Sequence, residues 1–258
     1  MTTTPTELEL MQVSPSPALR GAAAEVVGLL HEVNSRISLY GDKVISETAR
    51  DRVTKTWRSN RDVVEKQMMA FARLKASEEL KPEGLKSHAV QLMPVIDKVF
   101  SDETAAIGGL RKSIEQMEDA AVRGMVPTVF AADGTVIGYE APKEPTLHEL
   151  LQRFEVQRLL REKNQGEIDS MYMAAIESGN QLLIAAVDAA PQGFELVSQD
   201  PEVQQKIREL KIKHSPLAAR IAEVKKEVDA RSYMLAGFQS SIDSSTLGRL
   251  VRAASRVA

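Results

Sequence analysis

Residue types able to do acid–base, metal or nucleophilic chemistry are few and scattered in this chain. Its four histidines, His31, His88, His148 and His214, lie far apart. None has a second His at i+4, and none follows a Glu at the spacing of a helical metal pair. Cysteine is absent, which excludes disulfides, thiolate nucleophiles and cysteine zinc sites. There is no GxxxxGK[ST] phosphate loop, no GxGxxG and no GxSxG. Carboxylate-rich stretches such as "IEQMED" at 114–119 read as solvated helix surface. The expectation is therefore no catalytic residue, no metal ligand set and no cofactor.

One cluster has binding chemistry. In "ARDRVTKTWRSNR", at about 100° per residue, Arg50, Lys55, Arg58 and Arg61 fall within an arc of roughly 140°, with Trp57 at its edge. Cations beside an aromatic suit phosphate contacts with a stacked base. The competing reading makes Trp57 a core-edge anchor and lets the cations pair with acids of another helix. The second reading is preferred, and nucleic-acid contact is the alternative.

The elements that would position such residues are helices. The 258 residues are 43% hydrophobic and 27% charged but only 4% aromatic, a balance that suits long helices. A net charge of −3 argues against a chain that coats nucleic acid along its length. Residues 1–18, rich in Thr, Ser and Pro, read as a flexible arm without a secretory signal. No apolar run approaches the roughly 20 residues of a membrane span.

Residues 19–125 read as an N-terminal helical region. An apolar row runs from Leu19 to Val44, and a second pattern carries Val53, Trp57, Val64, Phe71 and Leu74. A helix over about 85–100, with a kink at Pro94, precedes another that Ser101 or Asp102 caps and Gly124 stops. Gly108-Gly109 inside it suggests close approach by a neighbouring backbone.

Residues 126–145 break the helical pattern. Asp133-Gly134 fits a two-residue turn, which places Phe130 opposite Ile137 in a β-hairpin. An isolated ribbon is marginal in water, so it must lie on its own helices or reach a neighbouring subunit as an arm.

Residues 146–258 read as a long-helix region. Thr146 and Glu149 have capping-box spacing, a helical run with a possible interruption near Gly166 extends to about Ala190, and Asp200-Pro201 opens the next helix. From Val203 through Ile207, Leu210, His214, Leu217, Ile221, Val224, Val228, Arg231, Leu235, Phe238 and Ile242, steps of four and three alternate. Such a period over about five heptads asks for a supercoiled partner, with a kink or restart at Ser215-Pro216 and His214 as a register-setting residue. The partner is either this chain or another subunit. The end, "LGRLVRAASRVA", is patterned like a surface-lying membrane helix but is short and lacks an aromatic, so docking in a protein groove or fraying is the preferred reading.

The stretch from Leu182 to Val228 resembles uncharacterised helical proteins of tailed bacteriophages and prophages. The likeness rests on Ala190-Pro191, the patch Leu196-Val197-Ser198, an acidic helix start, and His214-Ser215-Pro216. It departs at Gln192-Gly193-Phe194. The resemblance implies the helical class and a virion or assembly setting.

The expected fold is mainly α: an elongated bundle of coiled-coil-like hairpins with one β-hairpin inserted at about 127–140. The expected function is that of a non-enzymatic structural protein of a bacteriophage virion, in capsid, connector, tail or head interior, assembled in the host cytoplasm. Its expected partners are copies of itself and other assembly components. The residues expected at protein interfaces are Phe130, Val136, Ile137 and Tyr139 on the hairpin, and Leu217, Ile221, Val224, Val228, Leu235, Phe238 and Ile242 on the seam. The alternative is a cytoplasmic regulatory or nucleic-acid-binding protein using the Trp57 face.

Overall fold

The computed structural model describes residues 47–76, 81–130, 136–140, 143–190, 196–244 and 248–249. The row from Leu19 to Val44, the Asp133-Gly134 turn and nearly all of the C-terminal docking segment lie outside them. Within them the chain forms helices α1 (Glu47–Ala76) and α2 (Pro82–Val122), then strands β1 (Val126–Phe130) and β2 (Val136–Glu140). Helices α3 (Leu147–Leu160), α4 (Gln165–Ser178), α5 (Gln181–Asp188), α6 (Pro201–Lys213) and α7 (Ala218–Ser244) follow. The fold is mainly α with one inserted antiparallel hairpin.

Packing divides these residues into two compact units. The first takes in the described residues up to Arg111 and from Glu223 onward; the second runs from Lys112 to Ala222. Sequence breakers at 125–126 and 145–146 divide the chain by element, whereas the units divide it by contact.

In the first unit, α1 buries Val53, Trp57, Val64, Met68 and Phe71 at steps of four, seven and three. They join Ala89, Ile96 and Phe100 of α2 and Met234, Phe238 and Ile242 of α7 in one apolar cluster. Burying side chains of this size stabilises by about 1.5–3 kcal/mol each before ordering costs. That term dominates helix propensity here.

Helix α2 corrects the expected pair of helices. It runs unbroken past Ser101 and Asp102, which are exposed mid-helix positions rather than caps. All its buried positions but Ala120, namely Ala89, Ile96, Phe100, Glu103, Ile107, Ile114, Met117 and Ala121, recur at three, four and seven. That continuous stripe outweighs the local start signals. Pro94 sits on the solvent side, where its missing N–H removes one helical bond without disturbing the packed face. The helix does stop at Gly124, whose φ of 67° lets Met125 N–H reach Ala120 O and Gly124 N–H reach Ala121 O. Beyond the backbone of its own helix, no described residue comes within 4 Å of a Cβ built on Gly108 or Gly109, so close approach by a described neighbour is not their reason.

In the second unit, α5 packs on α3 and α4, and α6 packs on α4. The shared core contains Leu160, Ile168, Tyr172, Ile176, Val187, Leu196 and Ile207. Local caps are strong: Thr146 with Glu149, and Asn164 with Glu167, each close a reciprocal box. Asp200 caps α6 ahead of its first-turn proline, as the sequence predicts.

The hairpin pairs Phe130 with Val136, Val129 with Gly138, Pro127 with Tyr139 and Val126 with Glu140, with irregularities on both sides of Val129. Phe130 thus pairs one residue short of the expected Ile137. Bulges absorb the difference and shift register along the ribbon.

Candidate functional site

Charged side chains buried in a helical core must be paired, and the first unit holds such a chain. Arg52 of α1 donates to Glu227 of α7 at 2.8 Å. Glu227 lies 3.3 Å from Nε of Arg231, one turn along α7. Arg231 then donates to Glu103 of α2 at 3.2 Å. Glu103 and Glu227 are each 3% exposed, so water does not share the work. Burial pushes the Glu103 carboxyl above its usual range, and Glu227 adds to the rise, while Arg231 and Asn60 oppose it. The polar Arg231 in an apolar row is explained: two acids and two guanidinium groups lock three helices in register.

A second polar constellation lies in the second unit. The Tyr172 hydroxyl donates to Asp188, and Lys211 Nζ donates to both Asp188 oxygens at 2.9 Å. The same ammonium sits 5.6 Å from the Tyr172 ring centroid and 3.5 Å from the Val122 carbonyl. Cavities of about 400 and 270 Å³ share Asp188 and Lys211 in their walls. The Tyr172 hydroxyl, desolvated and bonded to a carboxylate, is pushed far above the usual tyrosine range, so it holds its proton. All three lysine hydrogens have acceptors. These groups satisfy one another, which makes the constellation a clamp between α4, α5 and α6 rather than a set aimed at a substrate. Among the described residues, no group of three metal-ligating side chains comes together.

Neighbouring polar groups hold the chain before α6. Buried Asp169 accepts from Ser198 N–H at 2.9 Å, and Gln165 bonds the Leu196 carbonyl at 2.7 Å. Gln157, also buried, donates to the Ala186 carbonyl at 2.6 Å.

The basic face separates from its aromatic. Trp57 is 0% exposed and sits in the core, so it cannot stack a base. Lys55 and Arg58 are exposed on α1; Arg50 and Arg61 lie on the same helix, their side chains outside the description. Trp57 therefore follows the preferred core reading, fully inside rather than at the core's edge, and its part in the alternative nucleic-acid face is corrected. A half-buried helix cannot turn both its apolar stripe and its basic face to water, and Trp57 lies with the stripe.

The predicted seam is likewise covered within the chain. Leu217, Ile221, Val224, Val228, Phe238 and Ile242 are all buried, and Leu235 packs partly buried on the first core. Their assignment to an interface with another subunit is corrected to internal packing. The row also splits: Val203, Ile207 and Leu210 of α6 belong to the second core, while Leu235, Phe238 and Ile242 of α7 belong to the first. His214 ends α6 in an exposed position, so it sets no register. Ser215-Pro216 restarts the chain as α7, as expected.

Among the described residues, the most exposed large apolar side chains are on α3, and the hairpin adds one more. On the hairpin, Val129 is exposed and Tyr139 half-buried; partial burial raises the Tyr139 hydroxyl above its ordinary value. Phe130, Val136 and Ile137 are placed on the strands, their side chains outside the description. On α3, Leu147 is 75% exposed, Leu151 59% and Phe154 62%. The sequence expectation missed this row. Its signal was present: α3 carries apolar residues on every side, among them Leu147, Leu151, Phe154, Val156 and Leu160, yet a helix in one core needs only a stripe. Searched for likeness, the chain matches no family model, no curated protein and no solved structure.

Proposed function

We propose that this protein is a non-enzymatic assembly component that works through helix and hairpin contacts with other protein chains, in a bacteriophage virion. The observation that carries the reading is the exposed row on α3. Leu147, Leu151 and Phe154 stand in water on one side of a helix whose other side, with Gln157 and Leu160, is already buried. Contiguous apolar surface of this kind marks contact sites. The exposed Val129 on the preceding ribbon extends the same argument. The virion setting rests on the resemblance of Leu182–Val228 to phage and prophage proteins.

Sedimentation across a range of concentrations and salts tests the reading. A discrete assembly that persists in high salt is expected. A chain that stays monomeric, and instead binds oligonucleotides with an affinity that falls steeply with salt and weakens on Arg58→Ala, would overturn it.

A further inference from the structure

We propose that α3 docks antiparallel onto α3 of a second copy of this chain, through the row Glu144, Leu147, Leu151, Phe154 and Arg158. The inference rests on the assembly reading above and names the partner of that surface.

The geometry comes first. At about 100° per residue, Leu147, Leu151, Phe154 and Arg158 fall within an arc of about 60°. Their spacing of four, three and four is the spacing of a helix–helix seam. The three apolar members are exposed by more than half, so none of the described residues covers the seam. Together they present on the order of 400 Å² of surface, in the range of the largest apolar patch on a typical monomer. That is about half of what one partner contributes to a standard interface, and the flanking polar side chains would supply the rest.

Charge then selects the occupant. The row is acidic at its start, where exposed Glu144 precedes the Thr146 cap, and basic at its end, where exposed Arg158 stands in the last turn. A second copy laid antiparallel with Leu151 against Phe154 sets Arg158 over Leu147, its long stem on the leucine and its guanidinium directed toward Glu144, which lies three residues beyond, at both ends. A parallel copy would set acid on acid and base on base. One patch that is complementary to itself only under a twofold rotation is the signature of an isologous dimer. In the free chain Arg158 pairs with Glu155 at 2.6 Å, but both side chains are more than half exposed, so the guanidinium can be shared at little cost.

Sedimentation equilibrium on the full chain tests the proposal. The wild type is expected at an even multiple of the chain mass. Phe154→Glu is expected to abolish the association with an unchanged circular dichroism spectrum, since Phe154 supports no core; Leu147→Asn serves as a second variant. Glu144→Arg and Arg158→Glu should each weaken association by roughly tenfold at low salt, because each charge is used twice per dimer. Combining the two reversals should restore it. An assembly unmoved by Phe154→Glu and Leu147→Asn, or a double reversal that restores nothing, overturns self-docking while leaving the assembly reading intact. A strictly monomeric wild type overturns self-docking as well. If that monomer binds oligonucleotides in a salt-sensitive way, the assembly reading falls with it.

Discussion

Trp57 meets Phe238 edge to face, with ring centroids 5.6 Å apart and planes at 84°, and Phe238 meets Phe100 in the same manner at 5.7 Å. Three helices, α1, α2 and α7, are thereby joined at their largest side chains. The contact decides what the flanking cations can do. Lys55 and Arg58 remain on the surface, but the aromatic that would have stacked a base faces inward.

Because Trp57 is the only tryptophan, its fluorescence reports this contact directly. Emission is expected to be blue-shifted, resistant to acrylamide, and unchanged by added oligonucleotide. Phe238→Ala should shift it red and destabilise the fold by about 3–5 kcal/mol, the cost of deleting a buried aromatic. A denaturant titration followed by fluorescence measures both.

The buried ion chain predicts an asymmetric mutational result. Arg231→Met removes the group between Glu103 and Glu227, leaving buried carboxylate without its guanidinium, and should cost about 3–5 kcal/mol. Adding Glu103→Leu to that variant should recover much of the loss, since two apolar groups then replace a pair. Urea midpoints of the single and double variants check the difference.

Two glutamates should give opposite slopes of stability against pH. Glu103 is raised mainly by burial, so within the window between the ordinary carboxylate range and its raised value the folded chain binds more protons. Stability therefore falls as pH climbs through that window, and Glu103→Gln should flatten the fall. Glu149 is lowered by hydrogen bonds from the backbone and hydroxyl of Thr146. Its contribution is present above the ordinary range and is lost as pH falls through the lowered value, a loss that Glu149→Gln should lack. Denaturation midpoints from about pH 3 to about pH 7 resolve both.

Tyr172 predicts a titration and a stability change. Its absorbance should stay that of the phenol at a pH where exposed tyrosines have ionised, until the chain unfolds. Tyr172→Phe removes a hydrogen bond to a charged group and should cost about 1.5–3 kcal/mol. Asp188→Asn should bring Tyr172 titration to lower pH, because the carboxylate that opposes ionisation is gone.

The hairpin depends on glycine at one pair. A Cβ on Gly138 would lie 2.9 Å from both Cβ and Cγ2 of Val129, and rotating the valine moves only the second. Gly138→Ala should therefore force the strands apart, at about 1–3 kcal/mol. Faster amide exchange across Val126–Phe130 and Val136–Glu140, with α4 and α6 protected as before, is the expected result.

What the sequence determined by itself are the features whose causes lie within a few residues of one another. Thr146 with Glu149, Asp200 with Pro201 and the stop at Gly124 are each local bonds or local dihedrals, and each stands where composition and spacing put it. The helical class follows in the same way from helical periodicity, and the two strands from the turn pair Asp133-Gly134 and the β-branched and aromatic residues that flank it. The tertiary structure alone decided which apolar faces are covered. A row such as Leu217–Ile242 has the same spacing whether it packs inward or onto a neighbour, and the folded chain packs it inward. It also decided that the stripe of α2 carries through Pro94 and Ser101, because long-range burial outweighs one lost bond and a weak cap. Trp57 went inward for the same reason. The row Leu147, Leu151 and Phe154 shows the converse. Periodicity says that a face avoids water, but only the positions of all the other side chains say whether anything in the chain is there to cover it.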